Sequence, residues 1–118
     1  MRFWGFKTGS RVWGVASKDS DYDIVVLPDE GERLKKLYEY EEVLTQHEEY
    51  EDGTIYINEG HKSFNVIILE SIEYEAWKYA TEAMMKLPKD LIQHRTHRVN
   101  KFKQYLTKYR AALNGDDI

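Results

Sequence analysis

The chain has no cysteine, which excludes disulfides, thiolate metal sites and cysteine nucleophiles and leaves no trace of a redox compartment. No apolar run approaches the length of a membrane span, and no basic stretch followed by an apolar core opens the sequence. A soluble, cytoplasmic protein that engages no membrane is therefore expected. Proline occurs only twice, at Pro28 and Pro88, and each marks the end of a periodic segment. Internal repeats and low-complexity linkers are missing as well. A chain of 118 residues is expected to form one domain, burying about 65% of its unfolded surface around one modest core. Residues 1–70 would supply the sheet and residues 71–113 the C-terminal helices.

Charge is abundant but unevenly placed. The formal net charge is −4. Residues 28–75 hold fourteen acids against four bases, and residues 86–110 hold eight bases against one acid. Such polarity marks residues 86–110 as a candidate face for an acidic protein or an RNA acceptor. Phe102, Tyr105 and Tyr109 lie in the same stretch, although at helical spacing aromatics serve more often as core.

The most informative stretch is residues 9–27, GSRVWGVASKDSDYDIVVL. Gly9 closes a short apolar run and Ser10 opens a segment that can be helical. Backbone N–H groups at such a junction, with the Ser10 hydroxyl, can hold phosphate oxygens. Gly14 permits close approach to backbone or nucleotide. Ten residues separate Ser10 from Asp21, where the chain re-enters a strand as Asp21-Tyr22-Asp23-Ile24-Val25-Val26-Leu27. Residues i and i+2 of a strand share a face, so Asp21 and Asp23 set two carboxylates side by side. Like charges that close repel, and a divalent cation between them removes the repulsion; oxygen ligands beside a triphosphate suit Mg²⁺. Arg11 and Lys18, in the intervening segment, are candidates to neutralise a leaving group's charge.

Asp-x-Asp alone is a common string. Gly-Ser, Gly14 and Ser-Asp-x-Asp running into four aliphatic residues are together far more specific. They resemble the signature of the DNA polymerase beta-like nucleotidyltransferases, and the ten-residue spacer is most similar to that of the minimal nucleotidyltransferases. These are small stand-alone domains, some of them antitoxins that transfer nucleotides to a partner toxin. The resemblance is carried by residues 5–27. It implies an α/β fold with a small mixed sheet of about four strands and helices mainly on one side. It further implies an NTP substrate, one or two Mg²⁺ sites, and transfer of a nucleoside monophosphate to an acceptor hydroxyl.

The resemblance also implies a third carboxylate on a later strand, where it would hold the catalytic metal and activate the attacking hydroxyl. That position falls in Ser63-Phe64-Asn65-Val66-Ile67-Ile68-Leu69, and Asn65 occupies it. A neutral amide can offer an oxygen to a metal but cannot act as a base. Glu70 has the opposite strand parity and Glu59 lies in the preceding turn. A rival expectation follows, of a catalytically impaired domain that acts by binding NTP or a partner protein.

In chain order the periodicities predict a strand over 2–7 with Trp4 and Phe6 on one face and a short helix over Arg11–Ala16. A helix over 30–46 should present Leu34, Leu37, Tyr38, Glu41 and Leu44 as one stripe, and residues 48–53 should form a polar turn. Thr54–Ile57 and Ser63–Leu69 read as a hairpin. From Glu73 a helix presents Trp77, Ala80, Thr81 and Met84, and another from Asp90 to Leu113 turns Val99, Phe102, Leu106, Tyr109 and Leu113 inward. His94 and His97, three apart, have no third ligand beside them and read as surface residues.

Overall fold

The structure is a computed structural model that describes residues 1–43 and 53–115. Its centre is a mixed five-stranded sheet in the order β1-β2-β5-β4-β3. The strands are β1 (Phe6–Thr8), β2 (Tyr22–Val26), β3 (Glu41–Glu42), β4 (Thr54–Glu59) and β5 (Lys62–Ile68). Only β2 and β5 are parallel, with Asp23 opposite Asn65, Ile24 opposite Val66 and Val25 opposite Ile67. The β4–β5 hairpin closes through Gly60 and His61 after the Glu59–Lys62 pair.

The period of two sorts β2 and β5 into two faces. Ile24, Val26, Phe64 and Val66 form one cluster with Ile55, Ile57 and Leu34 of α2 (Pro28–Leu37), and Met1 and Phe3 pack on its margin. The other face carries Val25 and Ile67, covered by Trp77, Ala80 and Met84 of α3 (Ser71–Met85) and by Phe102 and Leu106 of α5 (Arg95–Leu113). The four-residue α1 (Ser10–Trp13) and α4 (Lys89–Ile92) add Trp13 and Ile92 to that same cluster. Helices thus lie mainly on one side.

Polar contacts fix how these layers meet. Arg110 donates Nε and Nη2 to Glu73, both at 2.7 Å, clamping α5 to α3. Thr8 and Thr81 share a buried 2.7 Å hydroxyl bond that joins β1 to α3. On the opposite face Gly31 lets α2 close onto β5, since a Cβ there would fall 2.7 Å from Ile68 Cδ1. The buried Glu30 carboxylate accepts from the Trp4 backbone N–H and from the guanidinium of Arg33, tying residues 1–5 over α2. The Arg33 guanidinium holds that carboxyl below the usual glutamate range, against the opposing effect of burial.

Several expectations change. Trp4 precedes β1 and is 81% exposed, so it does not share a strand face with Phe6. The first helix covers Ser10–Trp13 and ends at Gly14. The second helix stops at Leu37, which is exposed, and Tyr38 leaves it in an extended conformation. Glu41 then pairs with Tyr56 and Glu42 with Ile55, giving a fifth strand where a helix was expected. An unpaired β4 edge offers a row of backbone donors and acceptors, and a short, charged strand both satisfies and shields it. Leu44 and residues 48–52 of the expected turn lie outside the described residues, as do residues 116–118. The last helix begins at Arg95 because His94 is extended, and Leu113 at its end is exposed.

Candidate active site

The site forms where β1 turns into α1 beside the start of β2. Gly9 adopts φ 81°, and a Cβ there would lie 2.2 Å from Asp23 Oδ2. Only glycine lets the backbone meet this carboxylate so closely in that conformation. Asp21 lies just before β2 and Asp23 within it, on the face that carries Val25. Parallel pairing brings Asn65 alongside: its Nδ2 donates to Asp23 Oδ1 at 3.0 Å and to Asp21 Oδ2 at 3.5 Å. Asn65 therefore occupies the third corner of the pair, and its amide spreads positive partial charge over two facing carboxylates.

Arg11 is engaged locally. It donates to Ser20 O at 2.9 Å and 2.6 Å and to Lys18 O at 3.2 Å, and its guanidinium lies 4.2 Å from the Tyr22 ring centroid. These contacts, with the Ser17–Ser20 turn, fix the loop that delivers Asp21. The Lys18 side chain is exposed on that loop. Gly14 caps α1 in the left-handed region, with the Lys89 side chain against it.

A cleft of about 130 Å³ opens beside Gly9, Ser10 and Asp23, walled by Trp13, Trp77, Val99 and Phe102. Arg95 and Arg98 of α5 line it too. Sequence reading placed these two arginines on a partner-binding face; the excess of bases in 86–110 was the visible signal, but not the direction in which they point. A second cleft, of about 210 Å³, lies on the other side of Asp23 between Lys7, Arg11 and Tyr22. Glu70 sits beyond the end of β5 as the residue before α3, and Glu59 is bound to the Met1 amine at 2.8 Å. Neither joins the aspartates. His94 and His97 are exposed, their rings edge to face at 5.9 Å.

Among the described residues no three His, Cys, Asp or Glu side chains gather as a metal site. Two carboxylates and an amide fit a single divalent cation, with the amide turned to present its oxygen, better than they fit two. A mixed sheet with a Gly-Ser turn against an Asp-x-Asp strand is the α/β arrangement that the resemblance implies. The chain matches the nucleotidyltransferase domain family over residues 6–113 and belongs to it. The match runs past the motif through all the C-terminal helices. No curated protein and no solved structure matches the chain significantly. Among the described residues no helix is long and apolar enough to cross a membrane.

Proposed function

We propose that this domain binds a nucleoside triphosphate with one divalent cation and moves the nucleoside monophosphate to an acceptor hydroxyl slowly, because Asn65 stands in place of a base. Asp21 and Asp23 would hold the cation, and Gly9 and Ser10 the terminal phosphates. Mg²⁺, when bound, supplies charge neutralisation for the triphosphate. The acceptor oxygen bonds to the α-phosphorus, the bond to the bridging oxygen breaks, and pyrophosphate departs with the electron pair. Positioning and electrostatics dominate such transfers, so the fold retains part of the acceleration without a base. The acceptor's proton passes to water, since the Asn65 amide cannot take it.

The observation that carries this reading is the Asn65 amide donating to both aspartates. The acceptor is a protein, an RNA end or a small molecule, and the basic residues 86–110 favour an acidic protein or RNA. The same Asn65 contact favours a second reading, in which NTP or partner binding is the whole function. Calorimetry should detect Mg²⁺-dependent NTP binding, millimolar or tighter, that disappears in Asp21→Ala/Asp23→Ala. Incubation with α-labelled NTPs and a cell extract should then label an acceptor slowly. Unchanged nucleotide affinity in the double variant would remove the site assignment, and binding without any labelling would select the second reading.

A further inference from the structure

The cleft beside Asp23 has two walls of different chemistry. One is the Gly9-Ser10 turn with the Asp23 carboxylate, and the other carries Arg95 and Arg98 from α5. We propose that Arg95 and Arg98 form the subsite for the β- and γ-phosphates of the triphosphate and hold the pyrophosphate as it leaves. This rests on the NTP reading above and assigns it two residues that lie outside the Gly-Ser and Asp-x-Asp motif.

Size comes first. At about 130 Å³ the cleft is well below the roughly 300–1,000 Å³ of pockets that enclose a whole drug-sized ligand. It suits a run of phosphate groups, with the nucleoside left outside. Charge comes second. Guanidinium is permanently cationic and matches phosphate oxygens bidentately, whereas Asp23 on the facing wall repels an anion unless cations offset it. Trp13 and Phe102 add an apolar wall to one side of the cleft. Trp13 is 8% exposed, and its indole N–H has no acceptor among the described residues.

Fixation comes third. Arg98 donates Nη1 to Ile92 O at 3.1 Å and Gln93 O at 3.5 Å, so the end of α4 anchors one edge of its guanidinium. Arg11 is differently committed, to the carbonyls of Ser20 and Lys18 and to the Tyr22 ring, and it lines the neighbouring cleft. Arg95 and Arg98 line the cleft that also holds Gly9, Ser10 and Asp23, which sets them beside the expected phosphates.

The test is calorimetric titration with inorganic tripolyphosphate in the presence of EDTA, and separately with Mg-ATP and AMP. Arg95→Gln/Arg98→Gln should weaken tripolyphosphate and Mg-ATP by roughly 10- to 100-fold, the range for losing charge-assisted hydrogen bonds, and leave AMP unchanged. Arg95→Gln alone, at an exposed position away from the α4 anchor, should show part of the loss with an unaltered circular dichroism spectrum. Asp21→Asn/Asp23→Asn should keep or improve metal-free tripolyphosphate binding. Equal tripolyphosphate affinity in wild type and the arginine variants overturns the subsite, even when Mg-ATP binding persists. Equal weakening of AMP overturns it as well, by pointing to a general disturbance of the cleft. Failure of the NTP reading looks different: the wild type then shows no Mg²⁺-dependent nucleotide binding at all.

Discussion

Strand β2 carries two sets of side chains that differ in everything but their backbone. Ile24 and Val26 point to the α2 face, where they are fully buried among aliphatic neighbours. Asp23 and Val25 point to the α3 and α5 face, which is apolar at Val25 and polar one step earlier, where Asp23 meets Asn65 and Gly9. Strand β5 repeats the division, with Val66 on one side and Asn65 on the other. One face of the sheet is given over to holding the fold. The other does so only at its far end, and its near end carries two carboxylates that share the amide of Asn65.

Substitutions one residue apart should break this comparison most sharply. Ile24→Ala removes buried methyls from the α2 face and should lower stability by about 2–5 kcal/mol, read as a shift in the urea midpoint. Asp23→Asn, its neighbour, should abolish metal-dependent NTP binding while leaving that midpoint nearly unmoved, because it relieves repulsion with Asp21. If the two variants lose stability equally, the division of labour between the faces is wrong.

Much of that division is legible in the sequence because it depends only on strand parity and spacing. Asp21 and Asp23 share a face by period, whereas the resemblance singles out Asn65, as the residue standing where a third carboxylate is expected; the β2–β5 register sets it opposite Asp23. The Trp77, Ala80, Thr81 and Met84 stripe is likewise buried as read. What escaped the sequence depends on long-range geometry. Nothing near Tyr38 breaks a helix; the chain leaves α2 there to pair with a β4 edge that local pattern does not reveal. Arg95 and Arg98 read as surface charge, because their direction is set by how α5 rotates against α3, through Arg110 to Glu73 and Phe102 onto Trp77. Trp4 reads as sharing one strand face with Phe6, yet the Glu30 carboxylate holds its backbone and leaves its ring exposed.

A smaller effect sharpens the contrast on the α2 face, where the buried Glu30 carboxylate is structural. The pKa of Glu30 is lowered in the folded state, chiefly by its hydrogen bonds with Arg33. A depressed carboxyl contributes stability that is present above its unfolded pKa and lost as pH falls below the ordinary glutamate range of about 4.3. Glu59, lowered by the Met1 amine, acts in the same window. Thermal unfolding followed from pH 7 to pH 3 should show a decline in stability that is shallower in Glu30→Gln. A profile of identical slope in that variant would assign the acid sensitivity elsewhere.

Asn65 is expected to restrain transfer without impairing the fold or nucleotide binding. The most direct measurement is the single-turnover rate of labelled monophosphate transfer from α-labelled NTP, in wild type and Asn65→Asp, with Mg²⁺ and with Mn²⁺. The variant gains a third anionic ligand and a base at nearly constant volume. Its rate should rise by roughly 10²- to 10⁴-fold, the span a general base supplies, while NTP affinity changes little and either metal is strictly required. A wild type that already transfers as fast as Asn65→Asp would contradict it.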